Sequence, residues 1–223
     1  MKNNWSSVAA QTISVIWHPL FFYFFMVLLL TWMAPDLFVE FGREDFVKFL
    51  ILNGVYTVLF PALGIFLLYK LNFIESLEME DSQERIGPFI VTAVFYSWTF
   101  INLRNTAFLP DIILLSLLGV LISLYLGFFI NLFDKISIHA MAVGGMLAFS
   151  WLLLGHDLVE SPVLSLGFTY LQFHAGFVFI LSVLLVGLVC WARLQLKKHS
   201  MQQVAAGLMM GVFGFFVAAQ FYP

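Results

Sequence analysis

Arg193-Leu-Gln-Leu-Lys-Lys-His199-Ser-Met-Gln-Gln203-Val-Ala-Ala-Gly207 is the longest polar break between two apolar runs in the last third of the chain. It places an Arg six residues before a His and a Gln four residues after it. A helix running from His199 onward puts His199 and Gln203 on one face, because positions four apart are neighbours on a helix. A fixed cation, an imidazole and a group that can orient the imidazole are the parts from which a phosphate-handling site is built. The same residues also read as a basic interfacial cap on a membrane helix, the usual role of Lys/Arg clusters at such places.

The apolar runs on either side belong to a chain built for lipid. The protein has 223 residues, of which 62% are hydrophobic and only 10% charged, and its mean hydropathy is +0.98. Soluble domains carry roughly 25% charged residues, so the composition indicates an integral membrane protein. The net charge of −3 argues against a nucleic-acid surface. A lone Cys190 inside an apolar run excludes an intrachain disulfide and a cysteine metal site and reads as a small core hydrophobe.

Residues 1–12 are polar, and the apolar run from Ile13 to Met33 is too long for the core of a cleaved signal peptide. It is expected to form the first membrane helix, with His18-Pro19 near its start, where a proline is tolerated. The second helix is expected from Phe46 to Tyr69, with Pro61 as a kink. An acidic interval follows, Glu75-Ser-Leu-Glu78-Met-Glu80-Asp81-Ser-Gln-Glu84-Arg85-Ile-Gly-Pro88. Further helices are expected at Pro88–Leu103 (the shortest), Pro110–Phe133, a stretch from His139 to about Leu154, Phe173–Ala192 and Gln203–Phe221. The fold class is therefore all-α: one polytopic bundle of about seven transmembrane helices, or six if the third merges with a neighbour. It is a single integral membrane domain, with a helix pair over 1–74 and the polar motifs over 75–223. No internal repeat or soluble domain is visible.

Seven crossings put the N-terminus and the intervals after helices two, four and six on one face. Trp5, Trp17 and Trp191 fall near it and Trp32 and Trp151 near the other, as the interfacial preference of Trp expects. Lys2, Lys70, Arg85, Lys135, Arg193, Lys197 and Lys198 share the first face, against Arg43, Lys48 and Arg104 opposite. This bias would make the first face cytoplasmic. Setting aside the cations assigned to chemistry nearly erases it, so both orientations stand.

The three intervals richest in polar groups, 75–88, 134–139 and 193–203, all lie on that first face and each leads into a helix. Arg85, Ser137, His139, Arg193 and His199 stand out. Two guanidiniums can clamp phosphate oxygens, and Ser137 at a helix start adds a hydroxyl beside free backbone N–H groups. Two histidines can divide nucleophilic attack from protonation of the leaving oxygen. No metal or other cofactor is needed, because arginines and helix-terminal N–H groups can stabilise the transferring phosphoryl group.

At this point the chain resembles the type 2 phosphatidic acid phosphatase superfamily, the lipid phosphate phosphatases. That family carries Lys-x6-Arg-Pro, Pro-Ser-Gly-His and Ser-Arg-x5-His-x3-Asp, each beside a membrane helix. Here stand Glu78-x6-Arg85-Ile86, Ile136-Ser137-Ile138-His139 and Ala192-Arg193-x5-His199-x3-Gln203. The resemblance covers about residues 75–220. It implies a phosphatase acting on the phosphate head of a membrane lipid, with His199 as the phosphorylated nucleophile and His139 as general acid. Arg85, Arg193 and Ser137 would bind phosphate. Glu78 replaces the family's Lys and reverses a charge, for which Lys135 is a candidate compensator. Ile138 replaces a Gly, and Pro88 stands three residues beyond Arg85. Gln203 replaces the Asp that would orient the nucleophilic His; its amide oxygen can accept an Nδ1–H bond but carries no charge.

Three other readings compete. A non-catalytic lipid-phosphate binder of the same fold fits the Glu78 and Gln203 departures. An intramembrane prenyltransferase would use the acidic run 75–84 to hold Mg²⁺ and a diphosphate, but it needs a second acidic cluster on that face, and the other intervals offer only Asp134. A transporter would be expected to carry charged groups within its spans. His18 reads as structural beside Pro19, His174 as a packing residue within a span, and His156-Asp157 as lying on the opposite face.

Overall fold

The computed structural model describes residues 5–106, 109–155, 163–165, 170–172 and 175–222. Nine α-helices run through them: α1 (Trp5–Ile16), α2 (Pro19–Met33), α3 (Arg43–Gly54), α4 (Phe60–Lys70), α5 (Ile86–Leu103), α6 (Asp111–Asn131), α7 (Ile138–Gly155), α8 (Ala175–Gln195) and α9 (Met201–Ala218). Long apolar segments become helices because hydrocarbon offers no partner for backbone N–H and C=O groups, which must bond within the segment. Six helices are long and apolar enough to cross a membrane, and a seventh span results if α1 and α2 are taken together. The protein is thus an all-α, multi-pass membrane bundle. One short antiparallel pairing, β1 (Val163–Ser165) with β2 (Tyr170–Gln172), interrupts the connector between α7 and α8. His156, Asp157 and His174 lie outside the described residues.

The expected first helix is not continuous. Residues from Trp5 are already helical, and the chain bends by 59° between α1 and α2. Pro19 explains the break: it lacks an N–H, and its ring drives the preceding residue out of the helical region. His18 accordingly adopts φ −73° and ψ 136° and becomes the N-cap of α2. The expected second helix is one span from Arg43 to Lys70, but a π-turn at Val55–Leu59 joins α3 to α4. Pro61 has no N–H for the carbonyl one turn back, and the wide turn just before it relieves that mismatch. Thr57 donates its hydroxyl to the Asn53 carbonyl inside this turn, at 2.7 Å. α5 starts slightly before its expected position, after a 3₁₀ turn at Gln83–Arg85, and stays separate from α6.

Tyr23, Met26, Leu30, Tyr96, Leu117, Phe149 and Phe215 are buried together and join α2, α5, α6, α7 and α9. The closest helix pairing is α7 with α9, and it depends on glycine. A Cβ at Gly144 would lie 2.4 Å from the Leu208 carbonyl oxygen, one at Gly207 2.4 Å from that of Ser137, and one at Gly211 2.0 Å from that of Met141. In lipid, where hydrophobic exclusion does not drive helices together, such backbone approach is a main source of cohesion. It also fixes the two histidine motifs relative to each other, because His139 lies in the first turn of α7 and His199 immediately precedes α9.

Candidate active site at one end of the bundle

The loops α4–α5, α6–α7 and α8–α9 meet at one end of the bundle. Arg85 donates from Nη1 to the Ile136 carbonyl at 2.8 Å and from Nε to the Met79 carbonyl at 2.9 Å. Met79 presents that carbonyl from a left-handed backbone, φ 48°, a conformation that costs energy outside glycine and collects at functional loops. Lys198 bonds both Glu78 and Glu80, tying the first loop to the third. The backbone N–H of Ser137 reaches the Gln203 carbonyl at 3.2 Å, joining the second loop to α9.

Beneath these loops lies a cavity of about 170 Å³ lined by Arg85, His139, Arg193 and His199, together with His18 and Glu78. Four of the five residues singled out for phosphate chemistry thus share one space. Below this polar head the lining turns apolar, with Phe22, Met26, Phe89, Leu124 and Phe215. The fifth, Ser137, is fully buried and absent from the lining: it caps α7, its hydroxyl accepting from the Ala140 N–H at 3.4 Å. Lys135 also stands outside the lining. Burial, followed by the charge of Arg85, lowers its pKa.

His199 is buried, and its Nδ1 has no hydrogen-bond partner among the described residues. Burial first, then Arg85, Arg193 and Lys135, push its pKa down to about 3. The ring is therefore neutral at physiological pH and keeps the lone pair that a nucleophile needs. Gln203 approaches His199 but spends both ends of its amide elsewhere. Its oxygen accepts the Ser200 N–H at 3.2 Å, completing a capping box at the start of α9, and its nitrogen donates to Asp134 at 3.2 Å. The orienting role expected of Gln203 is thus not the bond it makes here.

Arg193 donates from Nη1 to the Ser14 hydroxyl at 3.3 Å, while its buried Nε has no partner among the described residues. His139 Nε2 lies 3.1 Å from the Ser14 carbonyl oxygen. A carbonyl can only accept, so Nε2 carries the hydrogen and Nδ1 is left to exchange a proton. Ser14 thus touches both groups from α1, a helix outside the motif-bearing region. No sequence signal marks it, since one of its two contacts is made by the backbone. The sequence places His18 on the motif face, within reach of the pocket, but favours a structural role beside Pro19; the structure puts it in the cavity lining.

The acidic run is engaged in loop structure. Glu84 accepts the Glu75 and Ser76 N–H groups, Asp81 accepts the Gln83 N–H, and Glu78 and Glu80 hold Lys198. The bond to Lys198 keeps the Glu80 carboxyl below its usual range. Among the described residues, no group of three or more His, Cys, Asp or Glu is placed to hold a metal ion.

No family model, no curated protein and no solved structure matches this chain.

Proposed function

We propose that the protein is a membrane-embedded phosphatase that removes phosphate from the head of a lipid. The candidate substrates are phosphatidic acid, phosphatidylglycerol phosphate and polyprenyl phosphates or diphosphates, in a cell or inner membrane. The observation that carries this reading is the convergence of Arg85, His139, Arg193 and His199 on one cavity, with His199 Nδ1 and Arg193 Nε buried and unpartnered. Buried polar atoms of this kind cost free energy unless a ligand or a water satisfies them.

In the proposed reaction the two guanidiniums hold the non-bridging phosphate oxygens. Neutral His199 attacks phosphorus, and the bond from phosphorus to the leaving oxygen breaks. His139, its Nε2–H held by the Ser14 carbonyl, gives the leaving oxygen a proton from Nδ1. The negative charge of the bound phosphate favours the doubly protonated His139 ring beforehand. His139 then takes a proton from water, which attacks the phosphohistidine and releases inorganic phosphate. The apolar lower lining suits the chain of an amphiphile better than a soluble ester. The guanidiniums of Arg85 and Arg193 would stabilise the transferring charge, so the proposed reaction requires no metal.

The test is phosphate release from these lipids by the purified protein in lipid nanodiscs. Release that survives EDTA and is abolished by His199→Ala supports the proposal. Absence of release from every lipid class refutes it. Two features favour a second reading, a non-catalytic binder of lipid phosphates: Glu78 lines the cavity, and the amide of Gln203, which carries no charge, is shared with Ser200 and Asp134. Saturable binding of the same lipids without turnover would establish that reading.

A further inference from the structure

His18 lies outside all three motifs, yet it lines the cavity with the two arginines and the other two histidines. It sits at the 59° break between α1 and α2, as the N-cap residue before Pro19. Its ring meets that of His139 edge-on, with centroids 5.7 Å apart. It lines the cavity while remaining partly open to the surface.

The bonding of His18 fixes what the ring can offer. Nδ1 accepts the Leu20 N–H at 3.4 Å as the N-cap of α2. An accepting Nδ1 leaves the hydrogen of a neutral imidazole on Nε2. Protonating Nδ1 would set two N–H groups against each other, so the cap favours the neutral donor form and disfavours a proton-delivery role. The ring also stands at the start of a 15-residue helix, where the partial positive charge of the backbone attracts an anion. Arg193 Nε and His199 Nδ1, on two residues lining the same cavity, are buried without a hydrogen-bond partner among the described residues.

We propose that His18 is a phosphate-binding residue, whose Nε2–H donates to a non-bridging oxygen of the phosphate held by Arg85 and Arg193. The inference rests on the lipid-phosphate reading and adds a phosphate-binding side chain from the N-terminal helices to the two guanidiniums. A neutral donor adds a bond to the phosphate without adding a further positive charge beside two guanidiniums.

The test uses full-length protein in nanodiscs, with inorganic phosphate as competitor and short-chain phosphatidic acid as substrate. His18→Ser removes the ring while keeping a side-chain oxygen fit to cap α2, and thermal melting checks the fold. A hydrogen bond to a charged group is worth roughly tenfold to hundredfold in affinity. His18→Ser should therefore weaken inhibition by phosphate and raise KM by that factor, with kcat changed by less than about threefold. His18→Asn, which also caps but cannot place a donor where Nε2 stands, should behave the same way. Phosphate inhibition and KM within about twofold of wild type, alongside loss of turnover in His199→Ala, would reduce His18 to a helix cap and leave the phosphatase reading intact. If wild type neither hydrolyses nor binds lipid phosphate and does not bind inorganic phosphate, both inferences fail together.

Discussion

Gly211→Ala adds one methyl group on the face of α9 that meets α7. Its Cβ would lie 2.0 Å from the Met141 carbonyl oxygen and 2.7 Å from the Gly145 nitrogen. Both are backbone atoms in a helix and cannot swing aside as a side-chain tip would. Ordinary contact begins at 3.4 Å, so the two helices must separate or shift by about 1.4 Å. Overpacking of this kind costs about 1–3 kcal/mol, or roughly 2–12 °C in melting temperature for a chain of this size. The functional loss should be larger than the stability loss. His139 rides the first turn of α7 and His199 the turn before α9, so the shift opens the distance between proposed acid and nucleophile. A misplacement of about 1 Å costs about 10²-fold in turnover. The control is Gly187→Ala on α8, where an added Cβ meets nothing within 4 Å. Melting temperature and phosphate release are measured for both variants in nanodiscs. If Gly211→Ala matches Gly187→Ala in both, the glycine contact does not set the geometry of the site.

Three further perturbations test the surrounding electrostatics and capping. His199 is held at about 3, below its ordinary 6.5, so between these values the unfolded chain binds a proton that the folded chain refuses. This group therefore makes stability fall as pH drops from 6.5 towards 3 and has no effect above 6.5. His199→Gln should flatten the decline of melting temperature across that window, and equal slopes would contradict the pKa shift. Glu78→Gln removes a negative charge from the cavity lining and should tighten phosphate inhibition by about fivefold, the weight of roughly 1 kcal/mol for a solvent-screened charge; weaker inhibition would mean that Glu78 helps to hold the ligand. Ser200→Ala breaks the capping box of α9 and should cost about 1 kcal/mol, read as a lower melting temperature, and an unchanged value would show that Gln203 caps the helix alone.

The sequence by itself determined the environment and most of the spans. Low charge and long apolar runs leave only helices able to satisfy the backbone in lipid, so class and approximate boundaries were local properties of the chain. It also determined which loops share an end. Successive crossings alternate direction, so the intervals carrying Arg85, His139 and Arg193–His199 had to emerge on one side. Their meeting around a single cavity was decided by tertiary structure, through the glycine contacts of α7 with α9 and the anchoring of Arg85 on Ile136. The same holds for the residues that changed role. Pro19 read as a residue tolerated near a helix start and His18 as a structural residue on the motif face; the 59° break before α2 and the place of His18 in the cavity lining came from the tertiary structure. Ser14 reaches His139 across 125 positions, and Lys198 reaches Glu78 across 120. Gln203 was visible as a neighbour of His199 on a helix face. Which partners its amide took depended on Ser200 one turn back and on Asp134 arriving from another loop. Spacing along a chain specifies which residues can share a face of one helix. It does not specify which of several polar partners, brought in by other helices, each of those residues will bond.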